Sequence, residues 1–575
     1  MKKSLVTVVL LLVAIAAGAR EKEHSLHVLS INDVHGAYFN RSYADSSLRC
    51  GLPSVKWYID SIRAAVGAEN VLLVDVGDIL QGDNAAYYYN YVATDKPHIV
   101  PRMASYMGYD ALVVGNHDIE AGHPVYDRIR RDLVQYGIPF LAGNAIDEND
   151  GSHYFEYYKI YEKAGLKVLL LGYTNPSIKS WVQEERWKGI DFKSLIPMVQ
   201  EDVDRLRARF KPQVVIVAAH SGSGPEDGSS LESQGRFLLH SLSGVDLILT
   251  SHDHIAAVDS CGAVFMANGG SKARYLTSSV INVRTRGRKV VSRHSGAELI
   301  EVSPLKSDAD MEAAFLPDWK EVRDFSQKPV GELGMDILTR ESFAGQSDYT
   351  NLIHTVQLSV PEAKLSIAAP LTYNRRIRKG PLVLDDMSVI YPYENQLFVV
   401  NMTGSEIKNY LEYSYGRWLS SEEGHVLNIS LFSNPANGTG SWRFNVPSYD
   451  LDSFAGLVYT VDVTKPFGSR ISIESLADGT AFDSDAVYPV AMTSYRASGA
   501  GGLISEGAGI NPSEIEGRVV ARYLEIRDLI RDFIMEKGGI DAEVISNPDV
   551  IGSWRFVPES SREGIDADMS LLFRR

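Results

Sequence analysis

The feature that most constrains this chain is a pairing repeated through its first half: a short, near-continuous apolar run, then at once a cluster of carboxylate, imidazole or amide side chains. The runs cover residues 26–31, 71–76, 111–114, 167–171, 213–219 and 245–250, with 263–267 and 278–283 further on. Apolar residues at successive positions, rather than at every second one, mark strands covered on both faces. Helical stretches separate the runs, so an α/β layered domain is expected over residues 20–305. Sites in such sheets assemble at the carboxyl ends of strands, which is where the polar clusters fall.

The clusters are Asp33-Val34-His35, Gly77-Asp78, Gly115-Asn116-His117-Asp118, His220 and His252-Asp253-His254. A lone histidine after an apolar run is commonly a hydrogen-bonded structural residue, and a lone aspartate there a helix N-cap. Five clusters at successive strand ends have no such independent cause. Asp33, His35, Asp78, Asn116, His220, His252 and His254 form the donor set that two divalent cations need, with zinc and manganese the expected ions. Asp78 is the candidate bridge, since one shared carboxylate holds two ions ~3.5–4 Å apart.

The ordered set Asp33-x-His35, Gly77-Asp78-x-x-Gln81-Gly82, Gly115-Asn116-His117-Asp118, Ala219-His220-Ser221 and Ser251-His252-Asp253-His254 resembles the calcineurin-like metallophosphoesterase signature. The whole length is similar to the exported 5′-nucleotidase family, whose members hydrolyse nucleoside 5′-phosphates, UDP-sugars or 2′,3′-cyclic nucleotides. The resemblance implies a layered metallophosphoesterase β-sandwich flanked by helices, then a mixed α+β substrate-recognition domain. It implies that Asp33, His35, Asp78 and His254 hold one metal and Asp78, Asn116, His220 and His252 the other, with in-line attack on phosphorus by a metal-bound hydroxide. His117 is the expected non-ligand histidine that assists the leaving oxygen. An acid three positions on should orient it; here that residue is Glu120, where relatives carry Asp, and Asp118 is the alternative. His123 could touch substrate or serve in its turn.

Residues 1–19 read as an export signal: Lys2 and Lys3, an apolar run over 5–16, then Ala17-Gly18-Ala19. The run is too short for an ordinary membrane span, and no cysteine follows it to take a lipid, so a periplasmic or secreted protein without a membrane anchor is expected. The net charge of −16 lacks the broad basic field that a nucleic-acid polymer needs, and a small nucleotide substrate is expected instead. Cys50 and Cys261 could pair in such a compartment or remain buried thiols. Oligomeric state is left open.

Residues 306–330, charged and interrupted at Pro317, read as a connector, 331–550 as the second domain, and 551–575 as a loosely held tail. Strands are expected near 363–369 and 396–402, a helix opening on the capping-box spacing of Thr403-Gly404-Ser405-Glu406, and a late helix over 522–537. The resemblance implies that this domain stacks a base between two rings, for which Phe454 and Tyr495 are the candidates. Arg375, Arg376 and Arg378 are a candidate phosphate clamp or a solvated turn. Two family positions differ: Gly456 stands where relatives have Asn, and Gly501 where they have Asp. The resemblance therefore implies a two-metal 5′-nucleotidase, with a cyclic phosphodiesterase or UDP-sugar hydrolase next. A weakly active nucleotide-binding protein and a sulfur-ester hydrolase are the more distant readings.

Overall fold

The computed structural model describes residues 21–573 apart from 394, 422–423, 434–439 and 512–513, so the expected export signal lies outside the described residues. The chain divides into two units between Arg323 and Asp324. Besides the antiparallel pair Ala145–Asp147 and Ile190–Phe192, the strands of the first are β1 (Glu21–Ile31), β2 (Val71–Asp75), β3 (Ala111–Val113), β4 (Phe140–Leu141), β5 (Tyr158–Lys163), β6 (Leu166–Tyr173), β7 (Val214–Ala219), β8 (Leu247–Thr250), β9 (Ala256–Cys261), β10 (Val264–Gly269), β11 (Tyr275–Arg286) and β12 (Lys289–Glu301), these twelve building the main sheets. They form two six-stranded sheets, ordered β12-β11-β1-β2-β3-β4 and β9-β10-β8-β7-β6-β5.

Alternate residues of each central strand go to opposite cores. Leu26, Val28, Leu72 and Val74 of the first sheet meet Val168, Leu170, Ile216, Ala218 and Leu249 of the second, closing a sandwich. Leu29, Ile31, Leu73 and Leu112 turn outward onto the helices Leu52–Val66, Ile99–Met107 and His123–Gln135. Leu169, Leu171, Val215 and Val217 turn outward onto Leu195–Phe210 and Gly235–Ser241. Burial on both faces is the physical reason these strands are apolar at every position, each such side chain contributing roughly 1.5–3 kcal/mol. The strands the apolar runs did not mark are β4, β5, β9 and β12. β5, β9 and β12 are edge or solvent-facing strands with half their side chains wet.

The stretch read as a connector is largely part of this unit. Asp308 caps the helix Ala309–Ala314 through its carboxylate, and Met311, Phe315, Trp319 and Val322 are buried in the first unit's core. Charged residues flank those apolar positions at helical spacing, which gave the segment its linker-like look. Cys50 and Cys261 are both free thiols.

The second unit is built on a mixed five-stranded sheet of β13 (Leu365–Ala368), β14 (Gln396–Thr403), β15 (Ser453–Ala455), β16 (Val487–Thr493) and β17 (Val519–Glu525), ordered β15-β13-β16-β14-β17. Phe398, Val400 and Met402 face the helix Gly404–Trp418, and Leu397 and Val399 face the helices Asp348–Leu358 and Ile526–Lys537. The capping box forms as its spacing predicts. Thr403 N–H donates to Glu406 Oε2 at 2.7 Å, Glu406 N–H donates to Thr403 Oγ1 at 3.2 Å, and Ile407, Tyr410 and Leu411 are buried.

Two expectations are corrected here. Residues 519–525 are strand, so the late helix starts at Ile526, not at residue 522. Residues 551–573 are no loose tail: the strand Gly552–Val557 pairs in parallel with Leu457–Asp462, and the helix Arg562–Phe573 buries Ile565, Met569 and Leu572. Asp568 fastens that helix by accepting from Val426 N–H at 2.8 Å and Leu427 N–H at 2.9 Å. The apolar spacing of 565, 569 and 572 is that of one helical face, diluted by charges between.

Candidate metal centre

All seven candidate ligands follow strand ends and converge within the first unit. β1 leads to Asp33 and His35, β2 to Asp78, β3 to Asn116, β7 to His220, and β8 to His252 and His254. Backbone bonds lace the loops together: Asp33 N–H donates to Gly77 O at 2.9 Å and His35 N–H to Asp78 O at 3.0 Å. His117 N–H donates to Asp78 Oδ1 at 2.9 Å, and His252 N–H to Asp33 Oδ2 at 3.0 Å. Asp33, His35, Asp78, His252 and His254 all adopt left-handed backbone, with φ of 48°, 47°, 59°, 73° and 58°. Each such residue costs on the order of 1 kcal/mol or more, and strain concentrated in one set of loops is typical of functional sites. Glycine is required beside them. A Cβ on Gly77 would lie 2.6 Å from His220 Nδ1, and one on Gly115 would lie 2.0 Å from Asp78 Oδ1.

The side chains form two groups, Asp33–His35–His254 and Asp78–His220–His252, the second joined by Asn116. In the first, His35 Nε2 and His254 Nε2 approach to 2.9 Å, with Asp33 Oδ1 3.9 Å and 3.6 Å away. In the second, the outer partners fix the tautomers. His220 Nδ1 donates to the Val76 carbonyl at 2.7 Å, leaving Nε2 facing Asp78 Oδ2 at 3.1 Å and Asn116 Oδ1 at 3.1 Å. His252 Nε2 donates to Glu232 Oε1 at 3.0 Å, leaving Nδ1 facing Asn116 Oδ1 at 2.9 Å. Asp78 Oδ2 is buried, with His220 Nε2 as its near polar neighbour. Lone pairs of two imidazoles, an amide and a carboxylate thus point at one another, an arrangement that a divalent cation satisfies. The residues present fit a metal.

The electrostatics agree. Burial pushes Asp33 up to about 7 and Asp118 up to about 6, and holds Asp75 well above the carboxylate range. Burial likewise pushes His254 down to about 4 and His35 well below its usual value. For His220 burial pulls down, but the Asp78 carboxylate outweighs it and lifts the ring to about 9. Without cations the site relies on protons to balance its carboxylates, a place that divalent charge takes over.

His117 lies at the edge of this centre, its Nε2 4.0 Å from Asp78 Oδ2. Its Nδ1 donates to Glu120 Oε2 at 2.6 Å, so Glu120 is the residue that orients it. Asp118 is buried below and accepts from the N–H groups of Gly115, Leu80, Ile79 and Asp78 at 2.7, 2.9, 3.0 and 3.1 Å. Asp118, the alternative for orienting His117, instead ties the β2 and β3 loops together with its carboxylate. His123 bonds to Asp127 at 3.1 Å and to the Lys188 carbonyl at 3.0 Å, a turn histidine.

In the second unit Phe454 is 1% exposed and packs edge-on against Tyr410, so it offers no face to a base and that assignment is corrected. All three residues of β15 are buried, and its central residue packs into the second unit's core. Tyr495 is exposed, with Tyr449 edge-to-face at 6.2 Å and Tyr393 edge-to-face on Tyr449 at 6.0 Å. Arg496 is buried beneath, paired with Asp452 at 2.8 Å and Asp450 at 3.2 Å. A Cβ at Gly501 would lie 2.4 Å from Asp450 Oδ1, so the space an aspartate there needs is already held by another carboxylate. Arg375, Arg376 and Arg378 are exposed, Arg376 on the two-residue strand Arg376–Ile377 that pairs with Ile337–Leu338. Arg376 pairs with Asp336, and Arg375 N–H donates to Thr339 Oγ1 at 2.9 Å. Sequence reasoning missed Glu232 and Tyr449: neither belongs to a spaced motif, and only contact with a motif residue reveals them.

Comparisons with known proteins place this architecture. Residues 329–506 match the family described as the 5′-nucleotidase C-terminal domain, and residues 34–258 match the bacterial capsule synthesis protein PGA_cap. The chain is 24% identical to the trifunctional nucleotide phosphoesterase protein YfkN of Bacillus subtilis over 93% of its own length, and spans 39% of that relative. It is 22% identical to the 2′,3′-cyclic-nucleotide 2′-phosphodiesterase/3′-nucleotidase of Salmonella typhimurium, covering 97% of this chain and 92% of that one. A Staphylococcus aureus structure provisionally named a 5′-nucleotidase superposes with a TM-score of 0.72 at 20% identity, over 92% of this chain and 99% of the other. The fold is that of the two-domain phosphoesterases with a calcineurin-like first domain. The family-model match and these relatives support, for this chain, the family of nucleotide phosphoester hydrolases that comprises the 5′-nucleotidases and the 2′,3′-cyclic-nucleotide phosphodiesterases.

Proposed function

We propose that the chain hydrolyses nucleotide phosphoesters, taking a nucleoside 5′-monophosphate to nucleoside and phosphate. The observation that carries this is the convergence of Asp78 Oδ2, Asn116 Oδ1, His220 Nε2 and His252 Nδ1 beside the Asp33–His35–His254 group. In this reading Asp33, His35, Asp78 and His254 hold one divalent cation, and Asp78, Asn116, His220 and His252 a second, zinc or manganese. Bound there, the pair neutralises phosphoryl oxygens as a Lewis acid and lowers the pKa of water. His117 serves the leaving group. Glu120 accepts Nδ1–H and so holds the ring with Nε2 turned to serve as the proton donor to the departing ester oxygen. The longer reach of Glu120, compared with the Asp of relatives, is absorbed in its 2.6 Å bond. Tyr495 stacks the base, flanked by Tyr449 and Tyr393.

A second reading, hydrolysis of 2′,3′-cyclic nucleotides, is favoured by the relative that covers 97% of this chain. Assays of AMP, 2′,3′-cyclic AMP, UDP-glucose and 4-nitrophenyl phosphate with added zinc or manganese separate the readings. Turnover of AMP above the others supports the first, and turnover of the cyclic ester above AMP the second. Equal turnover of 4-nitrophenyl phosphate and AMP sinks base recognition, and tight binding without turnover sinks both. We extend the proposal to export on residues 1–19, tested by whether the mature N-terminus is Arg20. Among the described residues no helix is long and apolar enough to cross a membrane.

A further inference from the structure

Resting on the reading that His252 holds a cation, we infer that Glu232 is a positioning residue for that centre. Its carboxylate accepts Nε2–H of His252 at 3.0 Å and so commits the imidazole to the tautomer whose Nδ1 is bare and turned to Asn116 Oδ1 at 2.9 Å. A neutral imidazole carries one N–H, and whatever accepts it decides which nitrogen is offered to a metal. His220 is set the other way: the Val76 carbonyl takes Nδ1–H and Nε2 faces the centre. The two rings sit edge-to-face at 5.4 Å and offer different nitrogens to one place, so each needs its own outer acceptor.

The Glu232 side chain is 48% exposed, and a half-exposed carboxylate beside a histidine is ordinarily a surface ion pair of little consequence. Its backbone argues for more. The Glu232 carbonyl accepts from Ser221 Oγ at 2.9 Å and from Asn175 Nδ2 at 2.9 Å, while Ser221 Oγ accepts from Gln234 N–H at 2.9 Å. Ser221 follows His220, and its own carbonyl accepts from the N–H of Ser251, the neighbour of His252, at 3.2 Å. One set of bonds therefore ties together the β7 end, the β8 end and the residue that orients the histidine between them. The loop is anchored where its carboxylate has to be aimed.

The test compares the full chain as wild type, Glu232→Ala and Glu232→Gln, each loaded with Mn²⁺ and desalted. Bound ions are counted by elemental analysis, affinities are read by competition with a chelator, and the Tm of each metal-free protein is recorded. Wild type is expected to hold two ions. Glu232→Ala should release the weaker-held ion with roughly 10–100-fold lower affinity at unchanged metal-free Tm. Glu232→Gln, whose amide oxygen still accepts Nε2–H, should recover most of that loss. An alanine variant within about twofold of wild type overturns the inference, as does a glutamine variant no better than alanine, or a fall in metal-free Tm that tracks the lost affinity. Those results leave two ions in the wild type. Fewer than two there sinks the metal reading itself, and this inference with it.

Discussion

In the first unit five candidate ligands sit on left-handed backbone and are laced by main-chain bonds, whereas in the second Tyr495 stands exposed at the start of a four-residue helix above a buried arginine. The first arrangement fixes side chains by fixing the chain that carries them, and accepts strain to do so. The second fixes only a mount: Arg496 and its two aspartates are rigid, and the ring above remains half wet. Chemistry that depends on sub-ångström placement belongs on the first kind of support, and recognition of a flat, forgiving surface is served by the second.

The largest effects should fall on the laced site. Asp78→Asn replaces the buried carboxylate that the proposal shares between the two cations and is expected to lower kcat/KM by roughly 10³-fold or more, with loss of bound metal on elemental analysis. His117→Ala should cost about 10²–10⁴-fold in kcat while both ions stay bound. Equal hydrolysis by wild type and both variants would remove the catalytic assignment. Metal loss in His117→Ala would make that histidine a ligand and undo its separation from the centre.

Next come the two rings once paired as stacking candidates, which should now separate cleanly. Phe454→Ala opens a cavity in the second unit's core and is expected to cost about 3–5 kcal/mol of stability, read by denaturant unfolding, without discriminating among substrates. Tyr495→Ala should leave stability nearly unchanged and weaken binding by about 1–3 kcal/mol, seen as a raised KM for AMP and an unaltered KM for 4-nitrophenyl phosphate. A base-selective defect in Phe454→Ala with none in Tyr495→Ala would reverse the assignment.

That contrast also explains what could be read from residues alone. The candidate ligands were legible because few side chains bind cations and the strand ends that carry them are announced by apolar runs. Asp33, His35 and His254 converge in one group and Asp78, His220 and His252 in another. Asp118 was not separable from Glu120 on sequence, since both follow His117 closely and only the direction of a carboxylate distinguishes a loop tie from an orienting partner. Phe454 failed for a like reason. An aromatic on a three-residue strand reads the same whether it faces core or solvent, and the deciding fact is its packing against Tyr410 of a helix far away in sequence. The terminal helix and the 309–322 segment were hidden by charge interleaved with a sparse apolar face.

A last effect, read on stability alone, probes the second unit without touching either candidate site. His354 is fully buried between Ser366 Oγ at 2.9 Å and Ser453 Oγ at 3.3 Å, and burial pushes it down to about 3. In the unfolded chain the same ring takes a proton below about 6.5, so the unfolded state binds more protons across the interval from there to about 3. Stability should therefore fall as pH drops through that window, by up to about 1.4 kcal/mol per pH unit from this group, and be unaffected above it. Urea unfolding followed by the tryptophans of this unit, at several pH values with and without His354→Gln, reads the slope. The variant should flatten it while leaving metal content and the AMP KM unchanged. An identical slope in both proteins would mean that the acid sensitivity of this unit lies elsewhere, and a shifted KM would tie the buried histidine to recognition rather than to the core.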